Sequence, residues 1–569
     1  MYYYIIMDTK QIRGRGPRHN KSDKEKEHDR KLASANFEKL VGQFYKSSPF
    51  VKDAAINHEL EVKFGTKGVS PFTKMDYDNV IRKLKSFGFT CNYEEGVYLL
   101  RISYEYLDKS GSYKDSNIRV EITGFRAIQE YCKSNDITKL LNSDQYSTSV
   151  KFVRKVPVYQ EKTRVDDVNF ADFNFRVSYR TEEEISPANI IIRSTLNNWN
   201  NVKKTFRYIN RVTFQHNDLP INADISIVKS SPREKFSLKK TYTTDEAGVF
   251  SSIDIYEIEL EIDNAKIGPG TNYNAPEAIL GDLKKNIKYV LMGLQGTNYP
   301  VSIDEQKKVV HEYMHLLHGD KHDTNKRIYP KNFIGPSSYT LQIENIVEPN
   351  DDINAPNIRR DFVVTDKADG DRHLMYISKT GKIYLINTNM AIIFTGAVTE
   401  EETLFQSIYD GELIMHNKNH KFINLFAIFD VYYVKGEDVR RLKFMDNDDD
   451  EKKLYRYKII HNTMTLLKPT SIIPNNISPM RFQSKKFYPE KNDPEGSHLQ
   501  IFEGCKHIMQ KVDAGLFEYE TDGLIFTQAV YGVGGDAVGK TGPLKKHAWD
   551  YSFKWKPPEF NTIDFLVVT

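Results

Sequence analysis

Two short segments, far apart in the chain, alternate strictly between charged and apolar side chains, and together they restrict the fold more than any other feature. In His58-Glu59-Leu60-Glu61-Val62-Lys63-Phe64 a period of two puts Glu59, Glu61 and Lys63 on one strand face and Leu60, Val62 and Phe64 on the other. Ile255-Tyr256-Glu257-Ile258-Glu259-Leu260-Glu261-Ile262 repeats the pattern with Glu257, Glu259 and Glu261 on one face. One face of each strand requires an apolar environment and the other refuses it. Taken singly, each segment is satisfied by a solvated strand face. Laid side by side, the two acidic faces repel unless a cation stands between them. A hard divalent cation would take their oxygens as ligands.

Between these segments lie six further strand-like runs, at 97–108, 117–124, 150–160, 173–184, 203–216 and 221–229. With the two glutamate segments that makes eight, enough to close an antiparallel barrel. Arg176 with Arg180, and Arg207 with Arg211, recur at a spacing that keeps each pair on one face. A barrel lined by both acids and bases cannot be an apolar core; it reads as a tunnel for metal and polyphosphate. Paired Glu-x-Glu strands at either end of an eight-strand pattern resemble the triphosphate tunnel metalloenzymes, in particular their RNA triphosphatase branch. Over roughly 57–263, the resemblance implies Glu59, Glu61, Glu257, Glu259 and Glu261 as candidate ligands of Mg²⁺ or Mn²⁺. It implies that Lys63, Arg176, Arg180, Arg207 and Arg211 face the triphosphate.

The second half turns on Val363-Val364-Thr365-Asp366-Lys367-Ala368-Asp369-Gly370-Asp371-Arg372, a lysine at a strand end followed by an Asp-Gly turn and an arginine. An amine so placed can attack phosphorus once its pKa is lowered, and Arg372 can reach a sugar or phosphate oxygen. Downstream stand Asp410-Gly411-Glu412-Leu413-Ile414, Asp522-Gly523-Leu524-Ile525-Phe526, and Lys554-Trp555-Lys556-Pro557 leading to Asn561-Thr562-Ile563-Asp564-Phe565. Ordered motifs over about 200 residues resemble the covalent nucleotidyltransferases: mRNA guanylyltransferases and ATP-dependent polynucleotide ligases. The resemblance implies Lys367 as the nucleophile that takes GMP from GTP as a phosphoramidate, and Arg372 as a sugar contact. Glu412 and Asp522 would be the metal and nucleotide carboxylates, and Lys554 and Lys556 the phosphate contacts.

The tryptophan in Lys-Trp-Lys-Pro and the preceding triphosphatase-like half favour capping over ligation. Removing the γ-phosphate of 5′-triphosphate RNA makes the diphosphate end that accepts GMP. This tandem order resembles the capping enzymes of large nucleocytoplasmic DNA viruses, and implies a site of action in the host cytoplasm, in viral factories, or in the virion. Two features depart from the family: Asn387-Thr388 stands where many members have Asp-Arg, and the sequence given stops at Thr569. The expectation is that the OB-fold is absent from this chain. An OB-fold domain or a methyltransferase, in cis or in trans, would then be a partner. The rival readings are a nucleotide- or RNA-binding module incomplete without such a partner, and an ATP-dependent polynucleotide ligase.

The expected organisation is α+β. A disordered tail at 1–35 precedes an eight-stranded antiparallel β tunnel domain at 36–300. A linker helix at 301–327 then leads to a nucleotidyltransferase domain of the ATP-grasp-like ligase/capping type at 328–569. A formal charge of +3 over 569 residues leaves nucleic-acid binding to local basic clusters. Cys91, Cys132 and Cys505 match no zinc or disulfide spacing, which suits a reducing compartment. No apolar run approaches the roughly 20 residues that span a bilayer, so no membrane partner is expected.

Three remaining motifs are read as structural. His311-Glu312-Tyr313-Met314-His315, on a helix over 304–317, has zinc spacing but no evident third ligand. Gly534 to Thr541 fits the phosphate-loop pattern, yet Gly542-Pro543 follow at once and deny the helix that pattern needs. The acidic run 446–451 lacks the glycine and final glutamate of a calcium loop, and 469–497 reads as a surface crossing.

Overall fold

The computed structural model describes residues 23–51, 56–65, 71–107, 111–234, 237–349, 355–446, 453–488 and 500–560. The first part of the expected tail, nearly all of the acidic run 446–451, the end of the 469–497 crossing and the motif beginning at Asn561 lie outside these residues. The chain divides between Leu294 and Gln295 into two compact units.

In the first unit, eight strands close into a barrel. They are β1 (Asn57–Phe64), β2 (Val97–Leu107), β3 (Tyr113–Thr123), β4 (Val150–Pro157), β5 (Phe175–Glu184), β6 (Lys204–Gln215), β7 (Ile221–Ser230) and β8 (Ile255–Ile262). Around the barrel the order is β1-β8-β7-β6-β2-β3-β4-β5, with β5 returning to β1, and every pairing is antiparallel. First and last strands are neighbours, with Glu61 opposite Glu261 and Lys63 opposite Glu259.

Alternation decides which way each face points. Leu60, Val62 and Phe64 are buried on the outside of the barrel, beneath helices α1 (Asp23–Lys46), α2 (Lys74–Ser86) and α3 (Pro276–Gln295). A second apolar cluster, built around Tyr131 and Trp199, covers the outward residues of β2, β3 and β6. Each large apolar side chain buried there contributes about 1.5–3 kcal/mol, so the barrel draws its stability from its outer surface. The lumen is left to the charged faces.

The disordered tail expected at 1–35 needs correction within the described residues, because α1 begins at Asp23. Phe37, Leu40, Val41 and Phe44 anchor its C-terminal half against the barrel. Once a packed turn exists, adding polar residues upstream avoids the cost of nucleation.

The second unit contains two sheets. Its strands longer than two residues are β9 (Ser337–Thr340), β10 (Phe362–Ala368), β11 (Asp371–Ile377), β12 (Lys382–Asn387), β13 (Ile392–Val398), β14 (Ser407–His416), β15 (Phe422–Val434), β16 (Arg481–Ser484), β17 (Thr521–Gln528) and β18 (Ala548–Trp555). The larger sheet runs β15-β14-β11-β12-β13, with β16 parallel to β15. The smaller runs β9-β18-β17-β10, with only β9 and β18 parallel. The lysine motif is the step between them: Lys367 is near the end of β10, and Arg372 near the start of β11.

Two motif glycines are required by packing. A Cβ on Gly411 would lie 2.6 Å from the Phe426 ring and 2.7 Å from the Ala427 carbonyl. Gly523 has φ +146° and its Cβ would meet the Trp555 carbonyl at 2.0 Å. The Asp-Gly-Glu motif stands in the middle of β14 rather than at a strand head.

The linker helix expected at 301–327 is also corrected. Helix α4 (Ile303–His318) buries Val309, Tyr313, Met314 and Leu317 against Leu374, Tyr376, Tyr384 and Phe394 of the larger sheet. Lys382 and Tyr384 bond Glu305 at 2.9 and 2.7 Å. It belongs to the second unit.

Candidate active sites

The barrel lumen is a network of alternating charges. Lys155 reaches Glu59 at 2.6 Å and Glu61 at 3.1 Å, while the Ser178 hydroxyl donates to Glu61 at 3.0 Å. Lys63 pairs with Glu259 at 2.8 Å and lies 3.5 Å from Glu61. Arg211 pairs with Asp224 at 2.8 Å and approaches Glu259 at 3.7 Å. Register places Glu261 opposite Glu61. Glu59, Glu61, Glu259 and Glu261 therefore form one acidic wall, with Lys63 and Arg211 beside it.

The remaining predicted residues line the same lumen but are engaged elsewhere. Glu257 joins Arg207 at 2.6 Å instead of the acidic wall. Arg180 and Arg176 turn to Asp167, at 2.6 and 3.8 Å. Sequence reading missed Lys155, Asp224, and a basic cluster in which Arg101 and Arg119 share Glu121 at 2.7 and 2.8 Å and Arg119 also holds Glu182 at 2.9 Å. The stretch Lys151-Phe152-Val153-Arg154-Lys155 breaks the alternation that exposed the glutamates, so local pattern carried no signal for Lys155.

Protonation follows position along the wall. Burial opposes the charge on Glu259, but Lys63 and Arg211 overcome it and hold the group at about 2. Glu261 makes no ion pair among the described residues: burial, then the charges of Glu59 and Asp224, push it up to about 8 against the pull of Lys155. A raised value in the folded state contributes stability that is full below the ordinary carboxylate range and is lost as pH rises through about 8. With EDTA present, the melting temperature is expected to fall between about pH 4.5 and 8 and to level off above, and Glu261→Gln to flatten that fall. An unaltered fall in that variant would place the titration on another group.

As a metal site, the wall fits in chemistry and in charge. Its donors are carboxylate oxygens, which suit a hard divalent cation, and burial together with the negative charges of Glu59 and Asp224 holds Glu261 near neutrality. Among the described residues, no three metal-ligating side chains surround a common point, and Lys63 and Lys155 stand between the carboxylates.

In the second unit, Asp522 collects two lysines: Lys367 and Lys556 each reach it at 2.6 Å, one per oxygen. Burial disfavours its charge, yet hydrogen bonds from the two ammonium groups keep it below the usual carboxylate range. Arg372 is held by buried Asp410, one bond measuring 3.0 Å, and donates to the Pro336 carbonyl at 2.6 Å. Tyr432 donates to the same Asp410. Glu412 faces Arg372 across the β11–β14 ladder. Burial raises it to about 7 against the pull of Lys485 and Arg372, and one of its buried oxygens has no protein partner. That oxygen is available to a ligand. Lys554 is exposed on β18.

Lys485 is a residue that the sequence concealed. It lies in the stretch read as a surface crossing, yet it is 3% exposed and reaches Asp366 at 3.0 Å. Asp366 also accepts from Tyr519 at 3.1 Å. Nothing in local composition separates such a buried lysine from its exposed neighbours.

The remaining motifs resolve structurally. No helix begins at Lys540, in keeping with the rejection of a phosphate loop. His311 Nδ1 lies 3.0 Å from His322 Nε2, a partner not foreseen; His315 is 61% exposed, 3.8 Å from Asp320. Glu312 accepts from Tyr376 at 3.2 Å, so it is not poised over a metal-bound water. Replacing His311 and His315 together with alanine is expected to leave phosphate release and nucleotide transfer within about twofold of wild type. Stoichiometric zinc in the purified protein, lost in that variant, would contradict this.

Residues 350–558 match the family of mRNA capping enzyme catalytic domains. A probable mRNA-capping enzyme of Acanthamoeba polyphaga mimivirus is 24% identical over 89% of this chain, which spans 43% of that relative's length. Among solved structures, the RNA triphosphatase Pct1 of S. pombe aligns over 48% of this chain and 93% of its own, at 13% identity and a TM-score of 0.23. A second structure, of the same triphosphatase in complex with the Spt5 CTD, aligns over 48% of this chain and 87% of its own, at 12% identity and a TM-score of 0.20. By sequence, the chain resembles viral mRNA-capping enzymes.

Proposed function

We propose that this chain carries out two consecutive steps of mRNA 5′ capping: removal of the γ-phosphate from triphosphate-ended RNA, then transfer of GMP from GTP to the resulting diphosphate end. The observation that carries the reading is Asp522 shared between Lys367 and Lys556 at 2.6 Å each, on the segment that matches the capping family. Lys367 attacks only as a free amine, so it must leave Asp522 and shed a proton first. Lys556 remains on Asp522 when it does, so no buried carboxylate is stranded.

The α-phosphorus of GTP then gains a bond to Lys367 Nζ and loses its bond to the bridging oxygen, which departs with pyrophosphate. A diphosphate RNA oxygen later displaces the lysine and restores the free amine. Arg372, already fixed by Asp410 and Pro336, is pre-oriented for the sugar, and the unpartnered oxygen of Glu412 can accept a ribose hydroxyl or help hold a divalent cation. Exposed Lys554 reaches phosphate only if it reorients.

In the barrel, Glu59, Glu61, Glu259 and Glu261 would hold Mg²⁺ or Mn²⁺, with Lys63 and Lys155 withdrawing from between them. A divalent cation held there would neutralise charge on the γ-phosphoryl oxygens. Lys63, Arg211, Arg207, Arg101 and Arg119 supply donors for the phosphates, and Arg176 and Arg180 join them on leaving Asp167. The reading places the protein in the host cytoplasm or the virion. Incubation with GTP labelled at the α-phosphate tests it: label should stay on denatured protein and move to diphosphate-ended RNA. Label retained from ATP but not from GTP would favour a ligase instead.

A further inference from the structure

The second unit carries a concentrated basic surface that neither reaction uses. Residues 326–331 and 540–546 contain Lys326, Arg327, Lys331, Lys540, Lys545 and Lys546 and no carboxylate, in a chain whose whole formal charge is only +3. All six are exposed, and none makes an ion pair within the described residues. The two segments are joined although more than 200 residues separate them: the Lys546 amide donates to the Lys331 carbonyl at 2.9 Å, and the Ser337 amide to the His547 carbonyl at 2.8 Å. Tyr329 is 45% exposed and lies under Arg327 and Lys331, 5.5 and 5.6 Å from its ring centroid. Segregated cations around an exposed aromatic ring are the footprint of a single-stranded nucleic acid.

Position links this surface to the nucleotide site. β18 starts beside it at Ala548 and ends one residue before Lys556, whose amine holds Asp522. Eight residues of strand span about 26 Å. β9 runs alongside from Ser337, next to the Pro336 carbonyl that fixes Arg372.

We propose that 326–331 and 540–546 form the surface that holds the body of the acceptor RNA while its 5′ end occupies the Lys367 site. The identity of the ligand rests on the capping reading; the surface itself rests on the clustered charge. The glycine-rich stretch Gly534 to Thr541 then has a role without cradling a nucleotide phosphate. It is a compact loop, in which a Cβ on Gly534 or Gly542 would strike His547, and it presents Lys540 to the RNA.

The test uses the full chain and a variant in which Lys326, Arg327, Lys331, Lys540, Lys545 and Lys546 are all glutamine. Anisotropy of a labelled 20-nucleotide RNA with a 5′ hydroxyl, which offers no terminal phosphates to the barrel, is measured across salt concentrations. Affinity should fall at least about tenfold, and the log–log salt slope should shrink by about 0.7 for each RNA phosphate that the protein no longer neutralises. GMP loading from GTP without RNA should be unchanged. GMP transfer to the diphosphate-ended 20-mer should suffer, and transfer to a diphosphate-ended dinucleotide, too short to reach, should not. Wild-type RNA affinity and slope in the variant would overturn the proposal, as would equal loss with the dinucleotide. Absence of any GMP adduct in the wild-type chain would instead sink the capping reading while leaving the RNA-binding measurement decisive.

Discussion

Replacing Lys367 with alanine is expected to abolish the covalent GMP adduct while γ-phosphate release continues at the wild-type rate. The loss should be at least about 10³-fold, because no other amine can take over a nucleophile's in-line position. Lys556 is the nearest rival, since it shares Asp522, but it reaches the opposite carboxylate oxygen from just past the end of β18 rather than from β10. Folding should survive: Asp522 keeps Lys556, so the substitution strands no buried charge. The assay is label retained on denatured protein after incubation with α-labelled GTP, alongside phosphate release from triphosphate-ended RNA. An adduct persisting in the variant would remove Lys367 from the mechanism.

The second large effect belongs to the barrel. Glu59→Ala or Glu259→Ala is expected to reduce metal-dependent phosphate release at least about 10²-fold, the scale of removing one preorganised electrostatic group. GMP transfer to Lys367 should continue, because that site is built from other residues in the other unit. Glu259 is the stronger test: Lys63 and Arg211 hold it charged down to about pH 2, so a ligand anion is present at any working pH. Its removal leaves Lys63 with only Glu61, 3.5 Å away, so melting temperature must be measured on the same preparations. A Glu259→Gln variant separates charge from packing. Full hydrolysis in both alanine variants, or hydrolysis indifferent to EDTA, would reduce the acidic wall to a structural feature of the lumen.

Much of the architecture was legible in advance because periodicity is a local property. Strict alternation assigned an apolar and a charged face to 57–64 and 255–262, and six strand-like runs between them brought the count to eight. Faces of that kind exclude an apolar lumen, so the inward glutamates followed as soon as the barrel closed. The ordered motifs in the second half likewise located Lys367, Arg372, Glu412 and Asp522, which the fold brings to the junction of its two sheets.

Pairing across distance was not legible. Alternation placed Arg176 and Arg180 inward but could not say that Asp167 would take them. Nor could it put Glu257 on Arg207 rather than in the acidic wall. A polar N-terminal stretch read as disorder became helix from Asp23, because its stability comes from Phe37, Leu40, Val41 and Phe44 packing on the barrel. A helix read as a linker became part of the second unit, because Tyr313 and Met314 found apolar partners in the larger sheet.

The sequence by itself determined which residue types face which way, since side-chain direction in a strand or helix follows from backbone period alone. Only the tertiary structure decided which charges neutralise which. Lys485 shows why. An ion pair is settled by a few ångströms between atoms more than a hundred residues apart in the chain, as between Lys485 and Asp366, and local sequence carries no record of that distance.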